Sequence, residues 1–165
     1  MAKENSFDVV SEVDMQEVDN AFHQTVKELQ QRYDLKDSGS RIELDKHAPS
    51  FTIHAPSDFV ARQIIDVLGG KLVKRGVDLH AVKWGAAEAA SGGTVRITGT
   101  IVSGIDAELA RKINKDVRDL KKKVKVQIEG EKLRVFSASR DELQDVIAFL
   151  KQQDYGIPLQ YTNYR

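Results

Sequence analysis

An α+β protein made of two copies of one unit is predicted, on three features of the chain. Val18, Phe22, Val26 and Leu29 recur at helical intervals, and Leu109, Ile113, Val117 and Leu120 repeat that spacing 91 positions later. Ile42, Leu44, Phe51 and Ile53 alternate as the strands of a hairpin do, and Val126, Ile128, Leu133 and Val135 alternate likewise across a shorter loop. After each hairpin a serine, Ser57 or Ser139, precedes a helix in which Ile64, Ile65 and Leu68 answer Val146, Ile147 and Leu150. Each half reads strand, helix, two strands, helix, strand, which is the split βαβ or ferredoxin-like arrangement. That fold hosts unrelated chemistries, so function has to be sought in particular side chains.

In chain order, the opening strand is Phe7-Asp8-Val9-Val10-Ser11-Glu12-Val13. Asp14 stands where an N-cap belongs, and Glu17 three residues on makes a capping-box-like pair for a helix beginning near Met15. Asp58 and Asp141 hold similar helix-start positions. The helix after Asp58 meets Gly69-Gly70, where each glycine costs about 1 kcal/mol relative to alanine, so a bend or break is expected. Gly76, after Lys71, Lys74 and Arg75, suits a helix end: cations meet the negative dipole terminus and glycine takes the left-handed cap. Trp84 to Gly93, with its alanine run and Gly92-Gly93, reads as a long hairpin loop or linker. It divides the repeat into halves 1–92 and 93–165.

Over 165 residues, 25 Lys and Arg balance 25 Asp and Glu, but unevenly. Residues 1–92 carry 11 against 15, a net of −4, and residues 93–165 carry 14 against 10, a net of +4. Such opposition serves docking between the halves or leaves a basic surface for an anionic ligand. The absence of cysteine excludes disulfides, thiol nucleophiles and thiolate metal sites. No apolar run approaches the ~20 residues of a membrane span, and Met1 to Phe7 is polar rather than leader-like, so a cytoplasmic location without membrane contact is expected.

Motifs for catalysis are missing. Neither GxxxxGK[ST] nor GxGxxG occurs, and His23, His47, His54 and His80 show no HExxH or other ligand spacing. No nucleophile elbow surrounds a serine, and Asp141-Glu142 is explained by helix-start electrostatics. No catalytic residue, metal or cofactor is therefore expected. Lys121-Lys122-Lys123, with Lys125, is the strongest charge run; it fits either a nucleic-acid backbone or a solvated helix terminus.

Binding chemistry has better candidates. Lys71, Lys74 and Arg75 fall on one helix face by their spacing and suit a phosphate diester, though a dipole-compensated helix end has the same composition. Arg140 lies where a helix begins, so its side chain and the helix amides suit a phosphate together. If Leu133 and Val135 face the helices, Arg134 and Phe136 face outward beside Lys125 and Gln127, a stacking surface for a base. The corresponding set in the first half, Arg41, Glu43, Thr52 and His54, is less aromatic. Tyr161 and Tyr164 have opposite parity, which places one on each face of the last strand. The glycine and aromatic signature of RNA-recognition motifs is missing from both halves.

Three segments in register carry a resemblance: Phe7 to Asp14, Lys71-Leu72-Val73-Lys74-Arg75-Gly76, and Pro158-Leu159-Gln160-Tyr161-Thr162-Asn163-Tyr164-Arg165. Gly104-Ile105-Asp106, Lys125-Val126-Gln127 and Ser139 to Gln144 add to it in order and spacing. The chain resembles the YajQ family of bacterial nucleotide-binding proteins nearly end to end. The resemblance implies a tandem of ferredoxin-like domains, similar to the RNA-recognition motif, with exchanged first strands. On that arrangement residues 14–103 form one domain, and 1–13 plus 104–165 the other. It also implies nucleotide binding without catalysis, with cyclic di-GMP as a ligand and a transcription regulator as a partner. Two other readings stand beside it: a general RNA or single-stranded nucleic-acid binder using the basic second half, and a protein-interaction adaptor needing no nucleotide.

Overall fold

The computed structural model describes residues 4–165. In chain order the elements are β1 (Asn5–Val10), α1 (Met15–Gln31), β2 (Arg41–Asp45), β3 (Ser50–Ala55), α2 (Asp58–Lys74), β4 (Val82–Trp84), β5 (Glu88–Ala89), β6 (Val95–Ile101), α3 (Ala107–Asp119), β7 (Lys125–Glu129), β8 (Lys132–Ser137), α4 (Arg140–Lys151) and β9 (Gln160–Thr162). The chain divides into two compact units. One is contiguous, residues 13–102; the other is split, joining residues 4–12 to 103–165.

The contiguous unit has an antiparallel sheet in the order β2-β3-β6-β4, with β5 pairing on β6. Its core joins Val18, Ala21 and Leu29 of α1 to Ile64, Leu68 and Leu72 of α2 over Phe51, Ile53 and Ile97 of the sheet. The split unit repeats the plan with β7-β8-β1-β9. Phe7 and Val9 of β1 pack there with Ile113 and Val117 of α3, Leu133 and Val135 of β8, and Val146 and Leu150 of α4. Both sheets are antiparallel with their helices on one face, the tandem ferredoxin-like architecture. In the split unit the strand between the hairpin β7-β8 and β9 is β1, from the other end of the chain, whereas in the contiguous unit that place is taken by β6, which follows β4 and β5 in sequence.

Helix ends follow local chemistry. Asp14 Oδ1 accepts from the amides of Gln16 at 3.0 Å and Glu17 at 3.4 Å, so α1 starts at Met15. Glu17 does not close a capping box. Its carboxylate accepts from Asn20 at 3.1 Å and faces Arg75 at 3.7 Å. The caps of α2 and α4 are Ser57 and Ser139, whose hydroxyls accept from Val60 and Glu142, and Asp58 and Asp141 fall in the first turn instead.

Three expectations need correction. First, α2 does not break at Gly69-Gly70 but continues to Lys74, because buried Leu68 and Leu72 tie both sides of the pair to one core. It ends at Gly76 (φ +78°), where Gly76 N–H donates to Val73 and Val77 N–H to Leu72, a Schellman closure with Val77 buried. Second, of the two readings of Trp84 to Gly93 the long hairpin loop holds and the linker between units does not. The segment is a hairpin inside the contiguous unit, pinned where Glu88 and Ala89 pair with Arg96 and Val95. Third, Tyr161 and Tyr164 do not take opposite faces: both rings lie 6.2 Å from that of Phe7. Asn163 has φ +55°, and Arg165 resumes pairing opposite Ser6, so one extra residue bulges out and resets the alternation.

Candidate functional site

The C-terminal half of α2 brings two of the anticipated cations into a recess against α1. Glu28, Arg32, Gln63, Asp66, Val67, Gly70, Lys71 and Lys74 line it, around a volume of about 440 Å3. Amphipathic packing sets this up, since Leu68 and Leu72 point into the core and leave positions 70, 71 and 74 toward the helix's outer side. Lys71 Nζ lies 2.9 Å from Glu28 Oε1, and that hydrogen bond holds the Glu28 carboxyl below the usual carboxylate range. Arg75, the C-cap of α2, reaches Glu17 at 3.7 Å. Lys74 is exposed and makes no ion pair among the described residues.

Sequence reasoning missed Arg32 and Asp66 as recess residues. Arg32 follows the last turn of α1 and is bound by Asp34 at 2.8 Å. Asp66 precedes Gly70 and Lys74 by four and eight positions, a spacing that puts all three on one line of the helix.

The other candidates stand in the split unit. Leu133 and Val135 are buried against the helices, so Arg134 and Phe136 lie on the opposite side of β8, both half-buried. Arg134 is not a free stacking group. Its guanidinium donates to Asp8 on the neighbouring strand β1, with Nε 2.8 Å from Oδ1, and it also meets Glu129 at 3.7 Å. The Asp8 side chain is only 4% exposed, and Asn163 (2.9 Å) and Lys132 (3.4 Å) complete its shell. The Arg134 hydrogen bond, outweighing the cost of burial and aided by Asn163 and Lys132, brings the Asp8 carboxyl from 3.8 down to about 2. Arg140 opens α4 on the surface and donates to Asn5 at 3.3 Å.

The chain matches the family model described as nucleotide-binding protein YajQ-like over residues 5–165. The chain belongs to the YajQ-like nucleotide-binding protein family. Among relatives of this YajQ-like chain, a nucleotide-binding protein of Desulforamulus reducens is 46% identical over 165 residues, covering 100% of this chain and 99% of that protein. One of Koribacter versatilis is 46% identical over 162 residues, 98% of each chain. Another, of Chloroherpeton thalassium, is 44% identical across the whole of both.

Elsewhere on this YajQ-like chain one lysine of the run is ion-paired within the split unit. Lys121 takes φ +56° at the end of α3, and Lys122 reaches Asp145 at 3.2 Å and Glu142 at 4.0 Å on α4. Three of the histidines sit beside carboxylates: His23 by Asp19, His54 by Glu43 and His80 by Asp78. Among the described residues no cluster of three or more potential metal ligands exists, and no helix is long and apolar enough to cross a membrane.

Proposed function

We propose that this protein is a non-enzymatic cytoplasmic nucleotide effector, with cyclic di-GMP as ligand and a protein partner, a transcription regulator, as reader of the bound state. One observation carries the reading. In a chain whose relatives are named for nucleotide binding, Arg32, Lys71 and Lys74 converge on one recess, with Lys74 uncommitted. A phosphodiester entering there takes Lys74 directly and Lys71 by exchange with Glu28, at the end of α2 where Arg75 adds charge. Arg134, Phe136 and Arg140 rank second as a phosphate and base site, because Arg134 already serves buried Asp8. General nucleic-acid binding is the weaker reading, since the lysine run is partly neutralised by Glu142 and Asp145.

The test is calorimetric titration of nucleotide-free protein with cyclic di-GMP, GTP, ATP and a short single-stranded RNA at two salt concentrations. Saturable cyclic di-GMP binding that disappears when Lys71, Lys74 and Arg75 are replaced together by alanine is the expected result. Unchanged affinity in that variant removes the cluster from the site. Steeply salt-dependent RNA binding alone favours the nucleic-acid reading, and silence from all four ligands favours the adaptor.

A further inference from the structure

We infer that the edge strand β2 of the contiguous unit takes the edge strand β7 of a second copy of this chain, with Ile128 of that copy entering a cavity beside Ile42. The two strands end their sheets, and among the described residues each pairs on one side only. The backbone groups left free follow from the ladders behind them. Ile101 N–H donates to the Pro49 carbonyl at 2.9 Å, extending the register in which Ser50 faces Thr100. Phe51 and Ile53 therefore turn their backbone groups to β6, Thr52 and His54 turn theirs to β2, and Ile42 and Leu44 turn theirs away from the sheet. In the split unit Ser6 and Arg165 exchange both backbone bonds, at 3.1 and 3.0 Å. That turns Phe7 and Val9 to β8 and, across β8, leaves Val126 and Ile128 facing outward.

Set antiparallel, with Ile42 opposite Ile128 and Leu44 opposite Val126, the free groups of the two edges meet as bonded pairs. Side chains then agree on both faces. Arg41 meets Glu129 at one end and Asp45 meets Lys125 at the other, with Glu43 against Gln127 between them. Charges on an edge usually turn an approaching strand away, and here they are matched in sign. Arg41 and Lys125 are 65% and 80% exposed, and the present contacts of Arg41 with Glu43 (3.0 Å), Lys125 with Glu4 (3.8 Å) and Glu129 with Arg134 (3.7 Å) are surface pairs that exchange at little cost.

The apolar residues of both edges fall on the face that carries the helices. Between α1 and β2 on that face is a cavity of about 290 Å3, walled by Val26, Leu29, Leu35 and Ile42, with Lys36 and Arg41 also lining it. Ile128 is the large apolar side chain that β7 leaves 39% exposed, and in this register it stands opposite Ile42. Two helices about 10 Å wide cover four strands about 4.8 Å apart in each unit, so joined edges continue both layers at their own spacing. Other pairings fit less well. β2 against itself sets Glu43 on Glu43, and β7 against itself leaves Ile128 opposite Val126 with no cavity to enter.

The contact is heterologous, one edge of each copy meeting the other edge of the next, and charge exchange tests it. Sedimentation of the full chain over a wide range of concentration is expected to show reversible association of the parent. Arg41→Glu and Glu129→Arg each bring like charges together and weaken association at least tenfold, and an equimolar mixture of the two variants restores it, because each altered edge meets the opposite change in its neighbour. Lys125→Glu, at the 80% exposed position, weakens association likewise, and thermal unfolding verifies that each variant is folded. A parent that stays monomeric at every concentration overturns the proposal, as does a mixture that associates no better than either variant alone. Association undiminished by Arg41→Glu overturns it too and assigns the contact to β7 paired with itself.

Discussion

The indole of Trp84 lies over Gly99, its cross-strand partner, so closely that a Cβ built on Gly99 would stand 2.6 Å from the ring. Phe51, paired with Gly99 from the other side, lies 6.2 Å from the indole with the rings 21° apart. Two large aromatics thus close over one glycine in the middle of β6, and the missing side chain is what gives them room. Gly99→Ala is expected to force Trp84 outward and to cost about 1 to 3 kcal/mol, the usual range for overpacking. Urea unfolding followed by Trp84 emission measures the loss, and the folded baseline reports the displaced ring. Unchanged stability and emission would show that the indole tolerates the shift.

Asp8 gives the split unit an acid-sensitive element. Its folded value, about 2, lies below the ordinary 3.8, so protonation favours the unfolded chain. The stabilisation is fully present above pH ~4 and is lost as pH falls through ~2, about 2 kcal/mol in all. Denaturation curves between pH 2 and 6 should show that decline, and Asp8→Asn should flatten it. A parent and variant with parallel pH profiles would rule the coupling out.

Removing the partner instead of the acid has a different signature. Arg134→Ala leaves a buried carboxylate with only Lys132 and Asn163, and a loss of about 3 kcal/mol is expected, near the low end for a broken buried pair. Cyclic di-GMP affinity, measured where the variant is still folded, should match the parent, because Arg134 is occupied by Asp8 in the proposed arrangement. Lost affinity in a folded Arg134→Ala protein would move the phosphate site to the split unit.

Two glycines, one inside α2 and one just past its end, should respond in opposite directions to alanine. Gly70 has helical backbone and open space at its Cβ, so Gly70→Ala gains roughly 1 kcal/mol. Gly76 has φ +78°, and Gly76→Ala loses about 1 to 2 kcal/mol through left-handed strain. Thermal unfolding of the pair, run side by side, checks both signs.

Lys74 and Lys71 separate binding from support. Lys74→Ala is expected to weaken cyclic di-GMP tenfold or more with no change in unfolding, as it makes no ion pair among the described residues. Lys71→Ala should add a stability loss within about 1 kcal/mol, because its bond to Glu28 ties α2 to α1 across a partly solvated surface. Equal binding by Lys74→Ala and the parent would argue against phosphate capture in this recess.

Much of this protein is determined by local pattern. Apolar spacing marks the four helices and the two hairpins, because the periods of 3.6 and 2 must present one face to a core whatever that core contains. Asp14 and Gly76 mark helix ends because capping involves only neighbours in the chain, and the caps of α2 and α4 fall one and two residues before the aspartates that announce those helices, at Ser57 and Ser139. The spacing of Lys71 and Lys74 likewise reveals a shared helix face. Other features depend on partners far away in sequence. Asp8 looks like an outward residue of a strand until Arg134, 126 positions on, arrives beside it. Tyr164 changes face through a bulge that no alternation rule reports. Gly69-Gly70 stays helical because the core holds Leu68 and Leu72, overriding the local cost of glycine. The recess and the cavity beside Ile42 exist only once α1, α2 and the segment from Leu35 to Ile42 are packed, since a cavity is bounded by side chains whose proximity is fixed by tertiary contacts rather than by their order in the chain.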